Sequence, residues 1–72
     1  MGELITLLNE VKPGIDYANS RDLVKDLDSL TIVRLVARLS EEYDVEITPL
    51  DIVPENFRTV EAIYDLIKRL ED

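Results

Sequence analysis

Asp28-Ser29-Leu30 stands where a stretch without sustained period gives way to a strongly periodic one. A hydroxyl at such a junction lies beside the free N–H groups of a helix's first turn, where the helix dipole also favours negative charge. Ser29 is therefore well placed to carry an anionic substituent such as a phosphodiester. The plainer reading of the same residues is capping, with the Asp28 carboxylate accepting hydrogen bonds from first-turn N–H groups. Ser20 falls inside the preceding loop and Ser40 inside the helix, so neither has a helix start to receive a phosphate. The chain has no His and no Cys, which removes zinc sites of the Cys/His kind, Cys nucleophiles, Ser-His-Asp triads and disulfides. An unactivated serine hydroxyl is a poor nucleophile. Ser29 makes chemical sense as a substrate that another enzyme deprotonates.

Charge is the second chemical signal. Sixteen Asp and Glu against eight Lys and Arg give a net charge of -8, which repels a phosphate backbone instead of releasing its counterions. Nucleic acid and anionic membrane surfaces are poor partners. Residues 1–28 carry net -3, residues 29–43 net zero and residues 44–72 net -5. The three turns after Ser29 hold Arg34 and Arg38 and no acid, a positive patch that can bind a partner or serve only as a solvated face. Glu41, Glu42, Asp44, Glu46 and Asp51 form an acidic run. Without a D-x-[DN]-x-[DN]-G loop, this run reads as solvated charge, and no metal is expected.

These residues must be held by helices. Leu4, Ile5, Leu7, Leu8 and Val11 recur at i, i+3, i+4, i+7 and predict a first helix from Glu3, stopped at Lys12 by Pro13-Gly14. Residues 13–28 read as a long loop, packed on the core through Ile15, Tyr17, Leu23, Val24 and Leu27. From Ser29 to Tyr43 the apolar residues Leu30, Ile32, Val33, Leu35, Val36, Leu39 and Tyr43 predict a central helix with a face wide enough to touch two neighbours, capped by Asp28. Thr48-Pro49-Leu50-Asp51 places a cap, a first-turn proline and an acid three residues on, the start of a short helix that Pro54 ends or kinks, and Pro54-Glu55-Asn56-Phe57 can form another helical turn before the last helix. Thr59 caps a last helix built on Val60, Ile63, Tyr64, Ile67 and Leu70, with Lys68 and Arg69 in its final turn.

The expected fold is all-α, a small four-helix bundle of three main helices and one short one, forming a single domain over residues 1–72. Ile, Leu, Val and Phe make up more than a third of the chain, enough for a core. No apolar run approaches the ~18 to 20 residues of a membrane span, and no basic start leads into an apolar stretch, so the expectation is a cytoplasmic monomer.

The arrangement of a short amphipathic helix, a long loop, Leu23-Val24-Lys25-Asp26-Leu27-Asp28-Ser29-Leu30 and a helix ending Glu41-Glu42-Tyr43-Asp44-Val45-Glu46-Ile47 resembles the acyl and peptidyl carrier proteins. The resemblance covers nearly the whole chain. With Thr48-Pro49 and Pro54-Glu55-Asn56-Phe57, it is most similar to small free-standing bacterial carriers. It implies that Ser29 carries a covalent 4′-phosphopantetheine derived from coenzyme A, flanked by Asp28 and Leu30. The arm's thiol would hold an acyl or aminoacyl cargo as a thioester. It implies no catalysis by the chain itself. The implied partners are a phosphopantetheinyl transferase, a loading ligase or adenylating enzyme, and downstream acyl-processing enzymes. Cargo and pathway stay open among fatty acid, polyketide and nonribosomal peptide assembly. Leu27 abuts Asp28 where fatty-acid carriers commonly set a Gly and one further residue, and fatty-acid carriers usually present acids where Arg34 and Arg38 stand. Two rival readings are an unmodified carrier-fold module that binds proteins through the central helix, and a small enzyme limited to carboxylates and three lysines for its base.

Overall fold

The repeat of Leu4, Leu7 and Leu8 builds α1 (Gly2–Val11), and all three side chains are buried. In the computed structural model, which describes residues 2–71, there follow α2 (Leu23–Asp26), α3 (Ser29–Tyr43), a 3-10 turn at Pro49–Asp51, α4 (Pro54–Phe57) and α5 (Val60–Glu71). No strand is present among the described residues. Met1 and Asp72, the ends of the expected domain, lie outside them. The helices pack α1 against α3 and α5, α4 against α5, and α2 against α4. One core results. It joins the α1 leucines to Leu35 and Leu39 of α3, to Val60, Ile63, Leu66 and Ile67 of α5, and to Tyr17, Leu23, Leu27 and Phe57 between them.

Several boundaries lie where the sequence puts them. The first helix ends at Val11, and Gly14 takes a φ of 92°, the left-handed region that glycine enters without a Cβ clash. The central helix runs Ser29–Tyr43. It closes on Asp44, a non-glycine residue at φ 53°, whose N–H and that of Val45 both donate to the Ser40 carbonyl. The Thr59 hydroxyl oxygen accepts from Ala62 N–H at 3.1 Å at the start of α5. Lys68 and Arg69 occupy that helix's last turn.

The structure corrects three expectations. The long loop contains a helical turn, α2, whose first N–H, on Leu23, donates to the Arg58 carbonyl at 2.7 Å and so ties the loop to the α4–α5 corner. The short helix expected from Thr48 is only a 3-10 turn of three residues, while the further turn expected at Pro54-Glu55-Asn56-Phe57 forms as α4. Asp51 Oδ2 accepts from both the Thr48 N–H and hydroxyl at 3.1 Å, which supports only the 3-10 turn, and Pro54 opens a separate turn, α4. Proline lacks the N–H needed to continue a helix from the preceding residues, which is why the segment breaks there. The bundle is thus three long helices and two single turns. Finally, Leu30 and Val33 do not join the inward face of α3: each is 62% exposed, while Leu35 and Leu39 are buried.

Candidate functional site

The start of α3 is built by Asp28. Its backbone is extended, with φ -78° and ψ 173°, and its Oδ1 accepts from Thr31 N–H at 2.8 Å while its carbonyl accepts from Ile32 N–H at 3.0 Å. Asp28 therefore carries the cap alone, and Ser29, the first helical residue, stands exposed. The N–H groups of Ser29 and Leu30 belong to the first turn and have no acceptor within the helix. Two cations face this end. Thr31, through its side chain first and its backbone N–H second, holds the Asp28 carboxyl below its ordinary range against the opposing effect of desolvation, and Lys12 and Arg34 lower it a little further. A carboxylate stabilised in this way is a weaker base than usual.

The segment that delivers Ser29 is fastened to the end of α1. Lys12 Nζ donates to the Asp26 carbonyl at 3.0 Å. The Tyr17 hydroxyl, on a buried ring, lies within hydrogen-bond distance of the Leu8 carbonyl at 3.1 Å and of the Lys12 carbonyl, and its single hydrogen serves both. These carbonyls belong to the last turn of α1 and the residue after it, so the phenol satisfies groups that a helix end leaves free. Burial, and next the charge of Asp26, pushes the Tyr17 phenol above its ordinary value. The Ser20 hydroxyl is engaged within this loop, donating to Asp26 Oδ2 at 3.2 Å, and Ser40 lies in the interior of α3.

Asp28, Ser29 and Leu30 thus form one exposed junction, with Arg34 on the turn that follows. Arg38 is drawn aside: its guanidinium stands 3.5 Å from Glu10 Oε1 of α1. Among the described residues no group of three Asp, Glu, His or Cys side chains is placed to hold a metal ion. The Lys12 and Tyr17 tethers escape a sequence reading, because a lone lysine and a lone tyrosine at a loop start have no periodic partner. The only sequence sign of them is an aromatic residue in a segment too apolar to be a free linker.

The fold is all-helical among the described residues, with an exposed serine directly after the cap of its central helix. Residues 4–67 match the model of the family described as phosphopantetheine attachment site, and the chain belongs to that family. It is also similar to a curated acyl carrier protein of Buchnera aphidicola subsp. Baizongia pistaciae (strain Bp), at 45% identity over 53 residues. That match covers 71% of this chain and 65% of the relative, so the chain spans just under two thirds of the relative's length. No solved structure matches it.

The prosthetic group of this family is 4′-phosphopantetheine. The junction fits such a group in three respects. The Ser29 hydroxyl is open to solvent, the neighbouring anion Asp28 is engaged by Thr31, and the charges facing the helix start, Lys12 and Arg34, suit a phosphodiester.

Proposed function

We propose that residues 1–72 form one carrier domain, that Ser29 is its attachment residue with Asp28 and Leu30 as flanking contacts, and that the domain delivers an acyl or aminoacyl cargo without catalysing any step. The observation that carries this reading is the division of labour at the head of α3. Asp28 takes the cap, leaving the Ser29 hydroxyl exposed beside unpaired first-turn N–H groups. When bound, 4′-phosphopantetheine supplies a terminal thiol on a long flexible arm. What this chain supplies is an oxygen in a fixed place. Ser29 Oγ bonds to the phosphorus of coenzyme A that bears the pantetheine, the pyrophosphate bond to the nucleotide breaks, and the serine proton passes to a base. With no His in the chain and Asp28 a weakened base, that base belongs to a phosphopantetheinyl transferase. The further partners are a loading ligase or adenylating enzyme and downstream acyl-processing enzymes, chosen in part through Arg34 and Arg38. No helix among the described residues is long and apolar enough to cross a membrane. A cytoplasmic monomer is the form that agrees with this and with the acidic surface.

The test is intact mass after incubation with a broad-specificity transferase, magnesium and coenzyme A. The expected result is one phosphopantetheinyl adduct on the wild type and none on Ser29→Ala. An adduct that persists in the variant moves the site elsewhere. A wild type that gains no mass leaves the unmodified interaction module in its place.

A further inference from the structure

The outward face of α3 differs from the rest of this acidic surface. Leu30, Val33, Arg34, Ala37 and Arg38 are all exposed, and their spacing lines them along one side of the helix. Leu30 and Val33 are apolar side chains left mostly in water, the kind of neighbouring exposure that marks a contact surface. No acid stands on α3 before Glu41, on a chain of net charge -8. Beside the stripe, the end of α1 and the outer side of α3 form an open groove of about 360 Å³, lined by Glu10, Val11, Arg34, Ala37 and Arg38. Val11 and Ala37 make part of that lining apolar, and two guanidinium groups border it. One of them is held only loosely: Arg38 and Glu10 meet at 3.5 Å with both side chains about half exposed, an ion pair that contributes little and exchanges readily. Arg34 takes part in none of the ion pairs among the described residues.

We infer that this groove and stripe receive a partner protein whose docking surface sets apolar side chains among exposed carboxylates. One of those carboxylates enters the groove between Arg34 and Arg38 and displaces Glu10. Leu30 and Val33 supply apolar burial, and the guanidinium groups supply register, since a planar donor fork matches a carboxylate. An acidic partner is repelled by the remainder of the molecule, which leaves this face as the place where it is attracted. Glu10 serves as the internal substitute for the partner's carboxylate. The inference deepens the carrier reading and rests on it, because a partner that handles cargo on Ser29 must dock near the head of α3.

Two synthetic helical peptides test it. Both carry the same leucine stripe, flanked in one by Glu and in the other by Lys, and each is titrated into the isotopically labelled protein while amide shifts are followed by NMR. The Glu-flanked peptide is expected to shift the amides of Leu30, Val33, Arg34 and Ala37, and the Lys-flanked peptide to leave them in place. Arg34→Glu should weaken the Glu-flanked peptide by about fivefold to tenfold, the range expected for losing and then reversing an exposed charge pair. Glu10→Gln should strengthen it by freeing Arg38. Both positions are exposed, so circular dichroism should show both variants folded. Equal binding of the two peptides on α3, binding of neither, or weakening by Glu10→Gln overturns the inference. So do α3 shifts that grow with protein concentration in the absence of peptide, which would make a second copy the occupant. Mass measurement on Ser29 keeps the two readings apart. A protein that takes up the arm but binds neither peptide loses this docking face alone, whereas one that binds the Glu-flanked peptide but takes up no arm loses the carrier reading alone.

Discussion

Replacing Tyr17 by Phe removes one oxygen from a side chain that is 2% exposed and leaves the ring in place, so it isolates the hydrogen bond that holds the Ser29 loop to α1. The Leu8 carbonyl keeps the Lys12 N–H as donor at 2.9 Å. The Lys12 carbonyl loses the phenol. The loss is then one donated hydrogen bond, at about 0.5 to 1.5 kcal/mol net, with part of the penalty for leaving the second carbonyl poorly satisfied, together about 1 to 2 kcal/mol. In a domain of this size each kcal/mol moves the midpoint by roughly 4 to 8 °C, so Tm should fall by about 4 to 16 °C.

The same hydroxyl gives the effect a pH signature. Burial and Asp26 raise the folded phenol above its ordinary value of 10.0, so the unfolded chain releases this proton first as pH rises. Stability linked to Tyr17 is therefore complete below pH 10 and declines as pH climbs from there toward the raised folded value. Tyr17→Phe has no such proton, and the gap between wild type and variant should narrow in alkali. Thermal melts by circular dichroism at pH 7 and across pH 9 to 11 measure both quantities. A Tm loss below about 2 °C at pH 7, or a gap that stays constant or widens with pH, would refute the reasoning.

Leu39→Ala should cost about 2 to 5 kcal/mol, because Leu39 is fully buried, whereas Leu30→Ala on the exposed face of the same helix should stay within about 0.5 kcal/mol; denaturant unfolding of the two compares them directly. Asp28→Ala should lower Tm at neutral pH, with Asp28→Asn restoring the cap. Because the folded Asp28 pKa is lowered, its contribution is present above the unfolded value of 3.8 and is lost as pH falls through the folded value, so the difference between wild type and Ala should shrink in an acid titration. Tyr43 is raised by burial and by the charges of Glu3, Glu42 and Glu71, then by Tyr64, so Tyr17→Phe should keep a residual alkaline destabilisation that Tyr43→Phe removes.

The parts of this fold legible in the sequence are those fixed by local chemistry. Asp28, Thr48 and Thr59 mark turn and helix starts because their side chains bond to backbone or side-chain groups three residues away. Gly14 marks a turn because its conformation suits few other residues. The parts that escaped depend on distance or on comparison between faces. One turn of helix at Leu23–Asp26 is too short to show a period. The Arg38–Glu10 pair joins residues 28 apart. Asp44 closes α3 in a conformation usually given to glycine, and no residue type announces it. Leu66 is a core residue at 2% exposed, beside Ile67, outside the set Val60, Ile63, Tyr64, Ile67 and Leu70 that marks this helix in the sequence. The wide apolar face of α3 divides, since periodicity gives the angle between residues but not which side meets the core. The place of Ser29 at a helix head is legible in the sequence, and its exposure is visible only in the structure.

The two sides of α3 answer to different demands. Leu35 and Leu39, one turn apart, are buried in the core and cannot change without cost to a domain whose total stability is on the order of 4 to 11 kcal/mol. Leu30, Val33, Arg34 and Ala37 on the other side contribute little to folding, because their side chains remain exposed. Substitutions on the outer stripe can therefore be made without disturbing the core, although Arg34 also acts on the Asp28 carboxylate. The cap is the element both demands share. It starts the helix that supplies Leu35 and Leu39, and it sets where Ser29 stands. Loosening that first turn would weaken the fold and misplace the hydroxyl together, whereas altering Val33 or Ala37 should leave both in place.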